Sequence, residues 1–409
     1  MWEARQVRVV VAGAGFAGLM AADLIARSGH EVVVLEARDR VGGRVWSAEL
    51  VPGDPRTVVE RGAEFVLDGY DVMRSVAAEL GLKLADTTMS YYAREPRGGD
   101  PTTGAEMARC ARAVAAAAAT APAGTSLAEA AETWTGSRAA LAAVVSRVAA
   151  THGDRLSAAA VTGLASDFAG RPSWRVAGGN QRLAGGLAGR LGPAVRLGRP
   201  VRSVEQDADG VRVLTDYGEV RGEAAILAVP MAVLRRLAFS PASPGDQATA
   251  WRRAGIAHNA KLHLPLTTLA PASAVQSVPE RFWTWTATDG SGGVQPVLHS
   301  FAGTEEGLAA LDVAHGPATW AGRAAALRPE LDLDVDRALL TTWNDDPWAG
   351  ESYSALTTEV DAADDQLVAA PFGRVHIAGE HTAGAWAGLM EGALRSGARA
   401  TTELLARRQ

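Results

Sequence analysis

The stretch "VRVVVAGAGFAGLMAADLIARSGHEVVVLEARDRVGGRVWS", residues 7–47, decides the fold. Residues 7–11 form an almost continuous apolar, β-branched run, which is typical of a strand buried on both faces. Apolar residues then recur at helical spacing, and residues 31–35 form a second apolar run. The stretch therefore predicts a β-α-β unit with two parallel strands, the repeating element of an α/β fold.

The turn between the first strand and the helix carries a G-x-G-x-x-G motif made of Gly13, Gly15 and Gly18. Gly13 permits the tight turn, Gly15 lets the backbone approach a diphosphate, and Gly18 permits close packing of helix and strand. The first helical N–H groups attract the diphosphate. Glu36 ends the second strand and is placed to accept hydrogen bonds from a ribose diol. Together these features predict a dinucleotide site, which includes the intervening residues Phe16 and Ala17.

The continuation "EARDRVGGRVWS" separates FAD from NAD as the expected dinucleotide. Ala37 and Arg38 follow the acid, and Gly42-Gly43 then offers a second close backbone approach to the cofactor. Arg44 is a candidate for bidentate bonds to the phosphates, or else a solvated surface arginine.

These motifs resemble those of the FAD-dependent amine oxidases, a family that includes monoamine oxidase, polyamine oxidase and L-amino-acid oxidase. The resemblance spans most of the chain and is poor between about residues 95 and 170. It implies an α/β fold with a Rossmann-like FAD-binding domain of the GR2 type. An inserted α+β substrate domain with a mixed or antiparallel sheet is also implied.

The expected domains are both discontinuous. Residues 1–75, 176–250 and 345–409 are expected to form the FAD-binding domain, and residues 76–175 and 251–344 the substrate-binding domain. The alanine-rich part of the latter predicts short helices, with the single cysteine, Cys110, as a small buried residue.

Two further segments match the family around the cofactor. The segment "RGAEF" is expected to place Gly62, Ala63 and Glu64 beside the flavin. The region 200–230 reads as a three-stranded ribbon, and the resemblance implies that backbone groups of Val201 hold the adenine.

The segment "GEHTAGAWAGLMEGALRSG", residues 379–397, supplies a glycine-rich loop followed by a helix from about Met390. A helix N-terminus that faces the flavin would stabilise the charge of the reduced ring. The resemblance implies that Met390 N–H meets the flavin C2 carbonyl. Glu380 and Thr382 are implied to hold the ribityl chain and phosphate. Gly379, Gly388 and Leu389 complete the implied cofactor contacts.

Lys261, Tyr353 and Trp343 are the candidate catalytic residues. A lysine inside the β-patterned run "HNAKLHL" is unusual, and it is either a flavin-site residue or a strand-edge lysine facing solvent. By resemblance, Lys261 bonds flavin N5 through a water, and Trp343 packs near the ring. A cysteine at the position of Ser352 binds FAD covalently in monoamine oxidases. The serine here therefore predicts noncovalent FAD.

Tyr353 matches one half of the aromatic pair between which an amine passes in the family, and Leu389 replaces the other half. Trp283 and Trp285 share one strand face, where pocket lining and core packing are equally favoured. The expected substrate pocket is Glu64, Trp283, Trp285, Tyr353, Trp386 and Leu389.

The implied reaction is oxidation of the C–N bond of an amine or amino acid to an imine, with O2 reduced to H2O2. Two alternatives stay open. One is an FAD-dependent desaturase or dehydrogenase that acts on C–C bonds of a secondary metabolite, and the other is a flavoprotein without turnover. No arginine is evident in the sequence for a substrate carboxylate.

Composition limits the partners. A net charge of −6 over 409 residues argues against nucleic-acid binding. The single cysteine, the early first strand and the lack of a long apolar run favour a cytoplasmic protein without a membrane partner. No histidine has metal spacing, so no metal is expected. The expected partners are the small substrate and oxygen, and a homodimer is left open. High alanine content favours a bacterial enzyme.

Overall fold

The computed structural model describes residues 6–122, 125–152, 171–290, 293–355 and 362–406. Residues 153–170, which belong to the predicted substrate domain, therefore lie outside the described residues. Among the described residues, no helix is both long enough and apolar enough to cross a membrane.

Helices in the described residues are numbered in chain order. They are α1 Phe16–Arg27, α2 Asp71–Glu79, α3 Gly104–Thr120, α4 Leu127–Glu132, α5 Arg138–His152, α6 Gln181–Leu191, α7 Met231–Leu234, α8 Gly245–Arg253, α9 Glu305–Ala310, α10 Ala318–Leu327, α11 Ala362–Ala369 and α12 Met390–Ala406.

Strands are numbered in the same way. They are β1 Arg8–Ala12, β2 Glu31–Leu35, β3 Ser47–Glu49, β4 Val58–Glu60, β5 Leu84–Asp86, β6 Glu95–Arg97, β7 Trp174–Val176, β8 Val195–Arg196, β9 Val201–Gln206, β10 Val211–Thr215, β11 Gly218–Gly222, β12 Ala224–Leu227, β13 Ala238–Ser240, β14 Ile256–Ala257, β15 Ala260–Pro265, β16 Ser273–Ser277, β17 Phe282–Thr286, β18 Val297–Ala302, β19 Leu339–Thr342, β20 Tyr353–Ser354 and β21 Val375–Ile377.

A five-stranded parallel sheet of order β21-β12-β1-β2-β8 forms the first layer. Residues 9–12 of β1 are fully buried, as the predicted two-sided burial requires. Helices α1 and α12 pack so closely that a Cβ added at Gly397 would lie 2.3 Å from the Ala17 carbonyl oxygen. The two ends of the chain thus meet in one layer. The predicted β-α-β unit is confirmed, because β1 and β2 pair in parallel and α1 connects them.

The predicted three-stranded ribbon is present as β9, β10 and β11, which pair antiparallel. It has a fourth strand that the sequence pattern did not reveal, because β13 pairs parallel to β9. Phe239 of β13 packs against Trp251 and Phe372, so tertiary contacts fix this short strand.

A six-stranded sheet of order β19-β15-β18-β17-β16-β6 forms the other main layer. Its strands pair antiparallel except at β6, which is parallel to β16, so the expected mixed sheet is confirmed. Helices α3, α4 and α5 carry the alanine-rich sequence, and Cys110 of α3 is fully buried among them. Together the two main sheets confirm the predicted fold class.

Candidate active site

One cavity lies where the two ends of the chain meet the six-stranded sheet. It is lined by these predicted cofactor residues: Gly13, Gly15, Phe16, Ala17, Glu36, Ala37, Arg38, Gly42, Gly43, Arg44, Gly62, Ala63, Glu64, Val201, Trp343, Gly379, Glu380, Gly388, Leu389 and Met390. Of the expected substrate pocket, Trp283, Trp285 and Tyr353 also line it. The structure therefore brings into one cavity residues more than three hundred positions apart in the sequence.

The glycines of the first turn differ in what surrounds them. Gly13 has a φ of +101°, and an added Cβ would lie 2.7 Å from the Ala228 carbonyl oxygen. Gly18 does not line the cavity, and its Cβ would lie 1.9 Å from the Gly13 carbonyl oxygen, as its predicted packing role requires. Gly15 is the N-cap of α1, and a Cβ there would meet nothing within 4 Å. An open approach to a helix N-terminus suits a diphosphate.

Glu36 lies at the carboxyl end of β2 with its carboxylate fixed by backbone groups. Its two oxygens accept hydrogen bonds from Ala14 N (2.7 Å) and Arg38 N (2.9 Å). Burial raises the pKa of Glu36 above its usual range, while these two backbone bonds oppose the rise. The carboxyl group is thus held at the cavity wall, and a carboxylate with two bonds can accept further hydrogen bonds.

Arg44 is not a solvated surface residue. Its Nη1 lies 3.2 Å from Glu351 and 3.0 Å from Glu380, and it donates to the Ser352 carbonyl oxygen at 3.1 Å. The predicted bidentate phosphate contact would therefore need the other guanidinium nitrogens. Glu351 also accepts bonds from two backbone N–H groups of α7, at Met231 and Ala232, a role that sequence reasoning missed.

Glu380 holds the loop before α12 together. Its oxygens accept bonds from the Ser354 backbone N–H (3.1 Å), the Ser354 hydroxyl and Gly388 N (2.6 Å), in addition to the Arg44 contact. Burial acts to raise its pKa, but Arg44, the neighbouring His381 and the bonds from Ser354 and Gly388 together outweigh burial, so the pKa is lowered and the carboxylate stays ionised. Four contacts engage the carboxylate, and Glu380 also lines the cavity, so the implied hold on a ribityl chain stays a prediction.

Thr382 lies away from the position that the resemblance implied. Its hydroxyl donates to the Gly379 carbonyl oxygen at 2.8 Å, and the residue does not line the cavity. The end of the loop agrees better with expectation, because α12 begins at Met390, which faces the cavity. The free N–H groups of the first turn are thus available to a bound group.

Lys261 is buried on β15, an interior strand of the six-stranded sheet, so it is not the solvent-facing edge lysine that the sequence left open. Its ammonium donates to a Glu64 carboxylate oxygen at 2.7 Å and to the Glu60 carbonyl oxygen at 3.0 Å. A buried lysine needs such partners, because an unpaired buried charge is costly. The Lys261–Glu64 pair was not predicted.

Glu64 has two further partners. Its other oxygen accepts a bond from the Trp285 indole N–H at 3.2 Å and lies 3.8 Å from an Arg175 nitrogen. Burial acts to raise the pKa of Glu64, but Lys261 and then Arg175 outweigh it, so the pKa is lowered. Arg175 lies on β7, behind the cavity wall, and sequence reasoning missed it.

Aromatic side chains form the walls beside this pair. Trp283 and Trp285 stack with ring centroids 4.1 Å apart, and both are buried and line the cavity. Phe65 packs on both indoles and on Tyr91. Phe65 and Tyr91 were missed as wall residues, although Phe65 directly follows Glu64 in the quoted "RGAEF" segment.

Tyr353 and Leu389 both line the cavity, but Trp386 does not, and this corrects its expected place in the substrate pocket. Trp386 packs edge-on against Tyr70 and under the Arg395 guanidinium. It therefore stabilises the start of α12 rather than the cavity wall. Trp343 does line the cavity, and a Cβ added at Gly62 would lie 3.2 Å from its ring.

The parallel sheet, the glycine turn and the acid at the end of β2 define a dinucleotide-binding fold. Comparison with known proteins makes this specific. The family described as flavin containing amine oxidoreductase matches residues 16–142 and 143–405. The chain belongs to this family.

Two relatives match nearly the whole chain. A putative flavin-containing monoamine oxidase AofH of Mycobacterium tuberculosis is 30% identical, with 98% of this chain and 97% of the relative covered. Amine oxidase [flavin-containing] B of Sus scrofa is 26% identical, with 97% and 86% covered.

Solved structures share the fold. Putrescine oxidase bound to putrescine has a TM-score of 0.83 at 23% identity, covering 98% of this chain and all of that one. Cyclohexylamine oxidase from Brevibacterium oxydans has the same TM-score at 20% identity, with 98% and 99% covered. Family membership confirms a flavin-dependent enzyme that oxidises the C–N bond of amines, with oxygen reduced to hydrogen peroxide in the family's general reaction.

Proposed function

We propose that this enzyme holds FAD noncovalently in the cavity and oxidises a small amine there, with molecular oxygen as the electron acceptor. One observation carries the proposal. A single cavity runs from the G-x-G-x-x-G turn and Glu36 to the Lys261–Glu64 pair and its aromatic walls. The first end suits a dinucleotide, and the second suits a small organic substrate.

The residues at the first end fit FAD. The open Gly15 and the N-terminus of α1 would receive the diphosphate, and Glu36 would accept from the ribose. The N-terminus of α12 at Met390 would face the pyrimidine edge of the flavin. Bound there, FAD supplies the hydride acceptor for the reaction.

The residues at the second end would bind and orient the substrate. Lys261 is held by Glu64, so its third N–H is directed by two fixed bonds and would position a water at the reactive edge of the flavin. Trp343 and Tyr353 would orient the reacting groups. Aromatic walls exclude water and so favour the neutral form of an amine, which is the form that can give up a hydride.

Noncovalent binding is proposed from the environment of Ser352. Its hydroxyl donates to the Ala257 carbonyl oxygen at 2.6 Å, and a hydroxyl cannot form the thioether that a cysteine forms. The division into a discontinuous FAD-binding domain and a substrate-binding domain at the predicted bounds remains part of the proposal. It is supported by the separate parallel and mixed sheets. A cytoplasmic location is proposed with it, supported by the buried, free Cys110.

The experiment that tests this function separates the two half-reactions. Purified holoenzyme is mixed anaerobically with a panel of amines, amino acids and indolic metabolites, and loss of the oxidised flavin absorbance is followed. Oxygen is then admitted, and flavin recovery and hydrogen peroxide are measured. We expect at least one amine to reduce the flavin and peroxide to form in equal amount. A flavin that dithionite reduces but no amine does would overturn the proposal.

A further inference from the structure

The substrate end of the cavity has an unusual charge balance. Among the described residues that line the cavity, the carboxylates are Glu36, Glu64 and Glu380. Glu36 lies at the nucleotide end and Glu380 is fully bonded by Arg44, Ser354 and Gly388. Glu64 is therefore the acid in a position to meet a cationic substrate group.

The negative charge of Glu64 is already balanced by two cations. Lys261 lies 2.7 Å from one carboxylate oxygen and Arg175 lies 3.8 Å from the other, and all three side chains are less than a tenth exposed. An ion pair in a site of low dielectric is far stronger than one in water, so a third cation cannot simply replace either partner.

The other titratable groups near the pair add no free negative charge. Burial raises the pKa of Glu60 to about 7, and its carboxylate is bonded to Asn180 N and the Ser47 hydroxyl. Burial lowers the pKa of both His263 and His299 well below the usual value, so both rings are neutral. The cations Lys261 and Arg175 therefore face the carboxylate of Glu64 and, when it is ionised, that of Glu60. This cluster of four side chains carries no net negative charge.

A diamine would bring a second ammonium to the substrate end of the cavity. Its distal amine, like a lysine side chain, has a pKa of about 10.4 and stays charged at neutral pH. The walls there are the rings of Phe65, Tyr91, Trp283 and Trp285, which bury flat apolar surface well. A second ammonium among them would lose its hydration without gaining a carboxylate.

Resting on the proposed function, we propose that the cavity selects amines with one amino group on a flat apolar body and rejects diamines. Arg175 is a specificity-determining residue that acts by balancing the negative charge of Glu64 together with Lys261. The structural neighbour that binds putrescine shares the fold at 23% identity, which does not bear on this point.

The test compares three amines in anaerobic reduction of the holoenzyme flavin. n-Pentylamine and 1,5-diaminopentane differ only by the terminal amino group, and 2-phenylethylamine adds the flat ring. We expect the second-order rate constant for n-pentylamine to exceed that for the diamine at least about 100-fold, and 2-phenylethylamine to react faster still. Equal or faster reduction by the diamine would overturn the inference while leaving amine oxidation intact. No reduction by any amine would overturn both.

Arg175 is tested by variants of the same holoenzyme. Arg175→Gln is expected to reduce the ratio of the n-pentylamine rate constant to the diamine rate constant about tenfold, because the cluster around Glu64 then has one positive charge fewer to repel a second ammonium. Arg175→Lys keeps the positive charge and should restore the ratio. The matched control is Arg221→Gln, which removes an exposed arginine on β11 that is paired with Glu219 and should leave the ratio unchanged.

A second charge change guards against failure of Arg175→Gln to fold. Glu64→Gln leaves Lys261 and Arg175 without a carboxylate between them, so the ratio should rise. The charge balance would be excluded as the cause of selection if the ratio of the n-pentylamine and diamine rate constants stayed constant in Arg175→Gln. A smaller ratio in Glu64→Gln would exclude it as well.

Discussion

Lys261 and Glu64 show at the residue scale how much one buried charge depends on another. Each is nearly inaccessible to water, and each satisfies the other at 2.7 Å. The lysine was visible in the sequence as a charge inside an apolar strand. Its partner lies 197 positions away, and local patterns do not report pairs over such a separation.

We predict that Lys261→Met destabilises the enzyme by about 3 kcal/mol, because Glu64 keeps a buried charge with one of its two cations removed. The double variant Lys261→Met/Glu64→Gln should regain part of this loss, since no buried carboxylate remains to be compensated, while Arg175 loses its ion-pair partner. Urea unfolding of the single and double variants measures the difference. Flavin reoxidation should be slow in both, while FAD content is retained.

The double variant is the control for a purely structural lysine. If stability returns in the double variant and reoxidation returns with it, Lys261 has no part in the chemistry. If Lys261→Met unfolds at the same urea concentration as the wild type, the ion pair contributes nothing to stability.

Glu60 gives a prediction about pH. Burial raises its folded-state pKa from 4.5 to about 7, so the folded protein binds this proton more tightly than the unfolded chain does. The stability it contributes is complete below pH 4.5 and is lost as the pH rises through 7. Glu60→Gln keeps an acceptor for Asn180 N and can donate to the Ser47 hydroxyl. We therefore expect this variant to be more stable than the wild type at pH 8, by up to about 3 kcal/mol.

The measurement is the melting temperature of both proteins from pH 4.5 to pH 8. The two curves should meet near pH 4.5, separate progressively between pH 4.5 and pH 7, and run parallel above pH 7. A difference that is constant across this range would mean that Glu60 does not titrate between these limits.

At the scale of elements, the turn from β1 into α1 has two glycines with opposite requirements. Gly18 must lack a side chain because β1 and α1 leave no room, whereas Gly15 has open space and a φ of −75° that any residue can adopt. The structure thus separates a glycine that the fold needs from one that a ligand would need.

We predict that Gly18→Ala lowers the stability of the apoprotein by several kcal/mol, because the new Cβ would lie 1.9 Å from a carbonyl oxygen. Gly15→Ala should leave the apoprotein as stable as the wild type and weaken FAD binding at least about tenfold, since its Cβ would occupy the approach to the diphosphate. Thermal unfolding and FAD titration of both variants measure these effects. Unchanged FAD affinity in Gly15→Ala would place the diphosphate elsewhere.

The same scale shows which elements the sequence could predict. β1, α1 and β2 follow from local patterns of apolar residues and glycine, and α12 begins at Met390 where the glycine-rich loop ends. β13 has only three residues, and its place beside β9 depends on Phe239 packing against Trp251 and Phe372. Such a strand has no local signal, because distant side chains stabilise it.

At the scale of the whole molecule, sequence motifs predicted which segments would line the cavity but not how their side chains would pair. Glu380 lines the cavity as expected, but its bonds to Arg44, Ser354 and Gly388 were not predicted. Trp386 was expected in the pocket and packs on Tyr70. These differences arise because an aromatic ring or a carboxylate takes whichever buried partners the folded chain provides. A motif fixes the position of the backbone only.

A noncovalent cofactor in a cavity built from both chain ends makes the stability of the whole enzyme depend on FAD concentration. For a ligand that binds the folded state alone, each tenfold increase in free FAD above the dissociation constant adds about 1.4 kcal/mol. For a chain of 409 residues this corresponds to a rise of about 2 °C in melting temperature per tenfold increase.

We predict this rise for apoprotein reconstituted with increasing FAD. Riboflavin at equal concentrations is the control and should have little effect, because it lacks the diphosphate and ribose that Gly15 and Glu36 would receive. Acid precipitation of the holoenzyme should release all the flavin into the supernatant. Flavin retained in the acid pellet, together with a melting temperature that does not respond to added FAD, would show a covalent bond at a residue other than Ser352. Since the Ser352 hydroxyl cannot form the thioether, the outcome decides directly between noncovalent and covalent binding of FAD.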